Sequence, residues 1–398
     1  MRVLHVLHTS MPHVCGYSIR SDQILTLQKK MGIDVAVVTS AQQPAPSSDE
    51  VIDRIVYFRT HCKWLMRSPV REVQLMWKLG RRVTSVINQF KPDIVHAHSP
   101  VLVGLPAYRA AKARGLPFVY EVRDLWENAS VDRGKFAAGS VAYRAARAME
   151  TWLLNRASSV VTIGDALRDE LQGRTRREVV VTPNGTDPEA FRPINPEPAW
   201  QEEWNPGSKQ VIAYIGSFQP YEGLDVLIKA LPLIIARLSN AHLLIAGDGP
   251  ERRGLEMLAQ EVGAQDHVTF TGRIPHQRVK EIYAIADLLV YPRIDTLTTR
   301  LTTPLKPLEA LSMEKAVLAS NLPAIRELVA DQISGMLFEP GNPVDLANKA
   351  VALLGNREFR IQLGREGRSR VLQDRVWSAS VARYAEIYGK ALAALSGQ

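Results

Sequence analysis

Cysteine is scarce in this chain, since Cys15 and Cys62 are the only two among 398 residues. Two thiols cannot build a disulfide framework, so we expect a reducing, cytosolic setting. No apolar run reaches the roughly 18 residues that span a bilayer, and the first apolar stretch, residues 3–7, is too short for a signal peptide. These absences argue against a disulfide-rich secreted protein and against a transmembrane one.

The rest of the composition is that of an ordinary globular protein, with 46% hydrophobic and 23% charged residues. Short apolar runs alternate with helical patterns along the chain, which is typical of parallel α/β architecture. Buried strands are predicted at 3–7, 34–39, 93–98, 118–122, 160–163 and 179–182, and again at 211–217, 242–247, 268–272, 288–291 and 317–320.

A proline-rich stretch separates the two series of strands. Five prolines fall between residues 188 and 207, a density that predicts an interdomain linker without a regular helix. We therefore expect a first Rossmann-like domain at 1–190, a linker at 191–207 and a second Rossmann-like domain at 208–375. Residues 376–398 are expected to form a helix that crosses back to the first domain.

One helix start in the second half has the features of an anion site. Thr303 is a good N-cap and Pro304 suits the first helical position. Lys306 adds a positive charge to the unpaired N–H groups of the first turn, and Glu309 follows one turn later. Such an arrangement suits a sugar nucleotide, with donors for the diphosphate and acceptors for ribose hydroxyls. The competing interpretation is a capped surface helix with a capping-box glutamate.

Several short motifs occur in an order that resembles a known enzyme family. They are VTPNGTD at 181–187, IGS at 215–217, AGDGP at 246–250, FTGR at 270–273 and LEA at 308–310. In this order they resemble the retaining GT-B glycosyltransferases of the large bacterial E-x7-E group. HAHSP at 96–100, VYEVRD at 119–124 and TPLKPLEA at 303–310 are similar to the exosortase-associated exopolysaccharide glycosyltransferases.

This resemblance implies a fold and a reaction. The fold is GT-B, with two doubly wound Rossmann-like domains facing across a cleft. The reaction moves a sugar from a nucleotide donor, UDP-sugar in our expectation, to a glycan or a lipid-linked saccharide acceptor, with retention of configuration. Neither a metal nor a cofactor is expected. Two alternatives stay open at this point, a GT-B UDP-sugar 2-epimerase and a catalytically weak GT-B assembly partner.

The resemblance also assigns roles to residues. Glu309 would accept hydrogen bonds from the ribose, Arg273 and Ile274 would lie against the nucleobase, and the 303–306 segment would hold the diphosphate. The expected donor-binding residues are Gly16, Gly216, Ser217, Gly249, Arg273, Ile274, Arg293, Thr303, Leu305 and Glu309. The expected catalytic residues are Lys306, Arg123 and Asp124.

Three positions depart from the family pattern. The first signature glutamate would fall on Leu301, and the two usual diphosphate cations are replaced by Ser217 and Glu222. Because negative charge builds on the leaving oxygens, other cations must compensate. Lys306, Arg293 and Arg300 are the candidates, although the two arginines also fit exposed loop cations. The missing glutamate leaves the identity of the sugar open.

The first domain contributes three further features, namely one glycine, an Arg–Asp pair and a pair of histidines. Gly16 follows the first strand, where glycine lets the backbone approach a phosphate or sugar. Arg123 and Asp124 end a strand and could bind an acidic group and orient the acceptor hydroxyl, or could form a structural pair. His96 and His98 share one face of a strand, but no further ligand at metal spacing accompanies them, so buried structural histidines are the favoured interpretation.

A basic segment is the remaining feature. Residues 51–91 hold nine Lys or Arg against two acidic residues, a net charge of +7, with Trp64 and Trp77 among them. Such a segment can lie on an anionic membrane surface or bind nucleic acid. No nucleic-acid-binding motif accompanies it, so of these two we expect the membrane and no nucleic acid. A solvated helix face is the plain alternative.

Overall fold

The computed structural model describes residues 1–43, 49–61, 68, 70–205, 209–275 and 278–396. The chain divides into two compact units, Met1–Asn184 together with Trp377–Gln398, and Gly185–Val376. Each unit is built around its own, mostly parallel sheet covered by helices. The predicted fold class of two doubly wound, Rossmann-like domains is therefore confirmed.

The first unit has eight strands in its described residues, in the order β3-β4-β2-β1-β5-β6-β7-β8. They are β1 (Arg2–Leu7), β2 (Asp34–Thr39), β3 (Asp49–Ile52), β4 (Ile55–Arg59), β5 (Ile94–His98), β6 (Phe118–Val122), β7 (Ser159–Thr162) and β8 (Val179–Val181). Only the β3–β4 pair is antiparallel among them. Its helices before the second unit are α1 (Gly16–Lys30), α2 (Val70–Phe90), α3 (Val101–Lys112), α4 (Trp126–Asp132), α5 (Val141–Leu154) and α6 (Asp165–Gln172).

The second unit has six parallel strands in its described part, in the order β11-β10-β9-β12-β13-β14. They are β9 (Gln210–Ser217), β10 (Ala241–Asp248), β11 (Val268–Gly272), β12 (Leu288–Tyr291), β13 (Ala316–Ser320) and β14 (Met336–Phe338). The helices are α7 (Pro198–Trp204), α8 (Leu224–Ile235), α9 (Arg252–Glu261), α10 (Val279–Ile285), α11 (Lys306–Ser312), α12 (Pro323–Arg326), α13 (Pro343–Gly355) and α14 (Arg357–Asp374).

The proline-rich segment was predicted to contain no regular helix, and this prediction is wrong. Helix α7 begins at Pro198, and proline is tolerated in a first helical turn because the N–H it lacks has no intrahelical acceptor there. Trp200 and Trp204 stack edge to face and are buried in the apolar core of the second unit. Burial of these two rings fixes a short helix where local sequence argued against one.

The last helix, α15 (Trp377–Ser396), belongs to the first unit. It packs against α1 and adds Val381, Tyr384, Ile387, Tyr388 and Ala391 to the buried core that surrounds β1 and β2. Among the described helices, none is both long and apolar enough to cross a bilayer. Cys15 is a free thiol, and Cys62 lies outside the described residues.

The strand order of each sheet marks a place for ligands. In parallel α/β sheets ligands bind beyond the carboxyl ends of the strands, where the direction of strand winding reverses. That point lies between β1 and β5 in the first unit and between β9 and β12 in the second. Residues following these four strands, among them Ser99 and Arg293, are therefore placed to contact ligands.

Candidate functional site

Helix α11 begins at Lys306, two residues later than the sequence predicted, and its N-cap is Leu305. The assignment of Thr303 as N-cap is therefore wrong. An N-cap at Thr303 would need the N–H of residue 307 for its carbonyl, and Pro307 has no N–H. Thr303 is instead buried in the preceding loop, and Leu305 is half-buried. Lys306 thus opens the helix with its side chain 26% exposed.

Glu309 is buried, and only one of its two carboxylate oxygens is hydrogen-bonded in the described part of the chain. Its Oε2 accepts a hydrogen bond from the Tyr283 hydroxyl at 2.8 Å and another from the Lys306 ammonium at 3.0 Å. Within the described residues no hydrogen bond involves Oε1. The carboxylate therefore presents a fixed acceptor, which is the feature that a ribose hydroxyl requires.

Two tyrosines that sequence analysis missed hold this helix start. The Tyr291 hydroxyl donates to the carbonyl oxygen of Lys306 at 3.0 Å, and the Tyr283 hydroxyl, whose proton goes to Glu309, lies 3.4 Å from the same oxygen. Burial raises the pKa of both tyrosines well above the usual value, so both stay protonated donors. Tyr291 ends β12 and Tyr283 lies on α10, so α11 is tied to the sheet and to a neighbouring helix. In the sequence, the feature that could have pointed to Tyr291 is its hydroxyl at the end of an otherwise apolar strand.

The candidate cations differ sharply in their surroundings. Arg293 is buried, donates from Nη1 to the Thr302 carbonyl at 2.9 Å, and has its Nε 3.6 Å from Oε1 of Glu222. The interpretation of Arg293 as an exposed loop cation is wrong, because the residue is buried and its charge is balanced by Glu222. Arg300 is exposed and forms an ion pair with Asp295. Burial raises the pKa of Glu222 although Arg293 opposes this effect.

Two of the predicted glycines lie where a side chain has no room. A Cβ on Gly216 would come within 2.5 Å of the Tyr214 hydroxyl, which donates to the Ser217 carbonyl at 3.1 Å. A Cβ on Gly249 would lie 2.5 to 2.6 Å from backbone atoms of Phe218. These contacts account for both glycines through packing of the β9 and β10 ends.

The residues expected near the nucleobase lie at the surface of the second unit. The Arg273 side chain is 84% exposed and its Nε lies 3.5 Å from Oδ2 of Asp248. Ile274 is partly buried against the apolar core. Ser217 is exposed at the end of β9. The structure thus leaves Arg273 accessible and anchors its neighbour Ile274.

In the first unit, Gly16 is not a loop residue but the first residue of α1. The N–H of Cys15 donates to the Ser18 hydroxyl at 2.9 Å and fixes the start of this helix. The hydroxyl of Tyr17 donates to the Ser99 carbonyl at 2.5 Å. The helix start is thereby tied to the end of β5, next to the point between β1 and β5 where the direction of strand winding reverses.

Arg123 is buried and uses most of its donors inside the protein. Its Nε donates to Glu121 at 2.7 Å, and its Nη1 donates to the Tyr17 carbonyl at 2.9 Å and the Ser21 hydroxyl at 2.8 Å. Its Nη2 lies 2.6 Å from Nδ1 of His98. The guanidinium therefore has little left for a ligand, which argues for a positioning role rather than for phosphate binding.

Asp124 remains available beside it. Its Oδ1 accepts from the Ser99 hydroxyl at 3.1 Å, and burial raises its pKa. No ion pair joins Arg123 to Asp124 in the described residues, so the structural pair considered from the sequence does not form. Arg123 pairs with Glu121 instead. That acid, inside the apolar strand β6, was a signal that sequence analysis left unused.

The histidine pair proves to be a trio. His5 lies opposite His96 in the register of β1 and β5, and ring nitrogens of His5, His96 and His98 lie within 4.8 Å of one another. Their spacing alone would suit a metal ion. However, five of the six ring nitrogens already have hydrogen-bond partners, as expected for buried structural histidines. The expected absence of a metal remains a prediction.

Comparison with known families matches the two units. Residues 16–185 match the family described as Glycosyl transferase 4-like domain, and residues 197–370 match the family described as Glycosyl transferases group 1. The first unit therefore carries a region similar to a Glycosyl transferase 4-like domain, and the second a region similar to Glycosyl transferases group 1. The second match includes the Glu309 site and the first includes Arg123 and Asp124.

Individual proteins agree with this class. EpsD of Bacillus subtilis, a glycosyltransferase by provisional name, is 25% identical over 87% of this chain and 86% of its own. Sucrose-phosphate synthase from Thermosynechococcus elongatus superposes with a TM-score of 0.82 at 20% identity, over 99% of this chain and 100% of that one. Anabaena HepE in complex with UDP superposes with a TM-score of 0.75 at 17% identity, over 98% and 100%. Both structures share the GT-B fold.

Proposed function

We propose that this glycosyltransferase transfers a sugar from a UDP-sugar to a glycan or lipid-linked saccharide, with retention, in the synthesis of a cell-surface polysaccharide. The observation that carries the proposal is Glu309, whose Oε2 is held by Tyr283 and Lys306 while Oε1 remains an unused acceptor. A fixed carboxylate beside an ammonium group matches a ribose next to a diphosphate. HepE, which shares the fold, binds UDP.

The leaving diphosphate needs positive charge. In this proposal Lys306 leaves its ion pair with Glu309 and contacts the phosphate oxygens, where charge develops in the transition state. Arg293 supports it from the end of β12 and keeps its own charge balanced by Glu222. Both positive groups belong to the second unit, and they take the place of the family's usual cations at Ser217 and Glu222. A divalent ion is then unnecessary.

The acceptor hydroxyl is assigned to Asp124 in the first unit. Its carboxyl group is anchored by Ser99 and can accept a hydrogen bond from a sugar hydroxyl. Retention follows from the family resemblance, with the acceptor proton passing to the departing phosphate oxygen on the same face of the sugar. No carboxylate nucleophile is invoked. Asp124 orients the hydroxyl during this exchange.

A membrane-bound acceptor is supported by the outer face of α2. Val70, Val73 and Trp77 are 48%, 59% and 55% exposed on this helix. Lys78 Nζ and the Arg81 guanidinium lie 5.4 and 4.9 Å from the centre of the Trp77 ring. An exposed indole flanked by cations suits the headgroup region of an anionic bilayer. We therefore assign the protein to the cytoplasmic side, in peripheral contact with the membrane.

Other parts of the basic segment do not join this face. Arg59 is buried and pairs with Glu50, and Arg82 pairs with Asp49. Lys63, Trp64 and Arg67 lie outside the described residues. The membrane proposal therefore rests on α2 and not on the full net charge of the segment.

A thermal-shift screen with UDP, GDP, ADP and their glucose and N-acetylglucosamine derivatives tests the donor. We expect UDP compounds to raise the melting temperature and GDP and ADP compounds to leave it unchanged. Incubation with the best donor alone, and then with membrane lipid extract, tests the reaction. Transfer of label to the lipid fraction supports the proposal. Donor epimerisation without any acceptor, or the absence of any donor binding, contradicts it.

A further inference from the structure

A chain of hydrogen bonds leaves Arg123 and runs through the interior of the first unit. Nη2 of Arg123 lies 2.6 Å from Nδ1 of His98, and Nε2 of His98 lies 3.0 Å from Nδ1 of His5. Nε2 of His5 lies 2.9 Å from Oε1 of Gln28. All four side chains are at least 96% buried, so water does not compete for these groups.

The chain continues through the last helix and returns to its origin. Gln28 Nε2 donates to the Tyr388 hydroxyl at 2.8 Å, and that oxygen lies 2.8 Å from Nδ1 of His96. Nε2 of His96 faces Oε2 of Glu121 at 3.5 Å, and Oε1 of Glu121 accepts from Nε of Arg123 at 2.7 Å. Hydrogen bonds therefore join Arg123 to His96, and the 3.5 Å contact between His96 and Glu121, which is not a hydrogen bond, closes the series into a ring that begins and ends on one guanidinium.

The direction of every hydrogen bond follows from Arg123. Arginine has donors and no acceptor, so Nδ1 of His98 must accept and its proton must sit on Nε2. His98 then donates to His5, whose proton must in turn sit on Nε2 and point at the Gln28 oxygen. With its oxygen so placed, the Gln28 amide offers its NH₂ group to Tyr388. The Tyr388 proton is then left for Nδ1 of His96.

His5 and His98 must therefore be neutral, with the proton on Nε2, and the Glu121 carboxylate, which only accepts, favours a proton on Nε2 of His96 as well. A proton on Nδ1 of His98 would face a guanidinium donor, and a charged His5 would face the donor of His98. Burial, the largest effect, lowers the pKa of each of these histidines, which agrees with the neutral form. Although burial alone would raise the pKa of Glu121, Arg20 and Arg123 hold it well below the usual value.

We propose that Tyr388 is a positioning residue for Arg123. Its hydroxyl accepts from the Gln28 NH₂ group and so stabilises the amide orientation that Arg123 requires. Without this hydrogen bond the orientation is less strongly favoured, and in a fraction of molecules the amide turns its NH₂ group towards His5, which reverses the protons of His5 and His98. The reversed His98 presents an N–H to Arg123 and displaces the guanidinium.

A displacement of Arg123 also affects Asp124, the residue proposed to orient the acceptor hydroxyl. The backbone N–H of Arg123 donates to the Ser99 hydroxyl at 3.1 Å, and this hydroxyl donates to Asp124. A displaced Arg123 therefore moves the residues that hold Asp124. This last step rests on the proposed function, whereas the proton arrangement of the ring does not.

Long-range ¹H–¹⁵N spectra of the ligand-free protein, with its nine histidines labelled, test the ring directly. At pH 7 we expect His5, His96 and His98 to be neutral with the proton on Nε2. A charged ring or a proton on Nδ1 in any of the three overturns the proposal. Because no substrate is present, this result stands whether or not the proposed transfer reaction is found.

Tyr388→Phe then tests the positioning role. We expect His5 to show both proton arrangements and kcat to fall about tenfold, with KM for the donor unchanged because its site lies in the second unit. Tyr108→Phe is the matched control, since its hydroxyl enters no hydrogen bond among the described residues while its ring packs on Phe118 and Trp152. Wild-type spectra together with wild-type kcat in Tyr388→Phe would refute the role.

Discussion

Tyr283 donates a 2.8 Å hydrogen bond to Oε2 of Glu309, and this contact determines which oxygen of the carboxylate is left for a ligand. The tyrosine lies on α10, 26 residues before the glutamate in the chain. Because burial raises the pKa of Tyr283 well above the usual value, its hydroxyl remains a donor over the whole working pH range. The carboxylate is therefore oriented before any nucleotide arrives.

The first prediction concerns this contact. Tyr283→Phe should weaken UDP binding about tenfold, because a hydrogen bond to a charged group contributes about 1.5 kcal/mol or more. Glu309→Gln should weaken it at least as much, since the ribose acceptor itself is changed. Calorimetry with UDP measures both. Glu256→Gln, an exposed acid paired with Arg252 on α9, is the control and should bind like wild type. Wild-type affinity in Glu309→Gln would remove this residue from the ribose.

The second prediction concerns Lys306. Lys306→Ala should reduce turnover about 10²-fold, the usual effect of removing one transition-state donor. Lys229→Ala removes an exposed lysine of α8 that pairs with Asp225, and it should leave turnover unchanged. Steady-state kinetics with the best donor compare the two. Equal rates in both variants would show that Lys306 does not stabilise the leaving group.

The third prediction concerns metal ions. Activity should survive EDTA, because Lys306, Arg293 and the start of α11 offset the charge that a divalent ion offsets elsewhere. The rate is measured before and after chelation and after addition of Mg²⁺, Mn²⁺ or Zn²⁺. Complete loss with recovery on one of these ions would contradict the prediction. Recovery on zinc would direct attention to His5, His96 and His98.

The fourth prediction concerns the outer face of α2. The protein should sediment with anionic liposomes at low salt and be released as salt shortens the screening length. Lys78→Ser with Arg81→Ser, and separately Trp77→Ala, should weaken sedimentation while leaving UDP binding intact, since each nearby cation contributes about 1 kcal/mol. Arg365→Ser with Arg370→Ser removes two exposed cations from α14 as a control of equal charge. If both double variants lose sedimentation equally, net charge rather than this face is responsible.

The fifth prediction concerns Glu150, a buried acid on α5 of the first unit. Burial, and secondly the neighbouring Glu127, raises the pKa of Glu150 from 4.5 to about 8; Tyr120, Arg174 and Asp124 also face it. The folded state therefore holds a proton that the unfolded chain has lost, and stability should fall as pH rises from about 4.5 to about 8. Glu150→Gln removes this slope. In denaturant titrations its stability relative to wild type should improve by about 2 kcal/mol or more between pH 5 and 8.5. A constant difference across this range would contradict the shifted pKa.

The two sheets follow from local sequence. The apolar runs at residues 34–39, 118–122 and 288–291 became strands with the predicted bounds, because a buried parallel strand needs apolar residues on both faces. The hairpin of β3 and β4 was missed because β3, an edge strand, has no buried residue and lacks the apolar run by which the other strands were predicted. The residue types at 303–309 also predicted a candidate donor-binding segment that contains Lys306 and Glu309.

Tertiary structure decided which of these groups can act. Glu222 took up the charge of Arg293, and Glu121 took up that of Arg123. His5 joined His96 and His98 only because β1 and β5 are neighbours in register, and Tyr388 reached them from the far end of the chain. Sequence determines which strands and helices can form, because burial patterns are local. The partners of buried polar groups lie from 2 to 360 positions apart, as in Arg123–Glu121 and Gln28–Tyr388, and only the folded chain shows which groups meet.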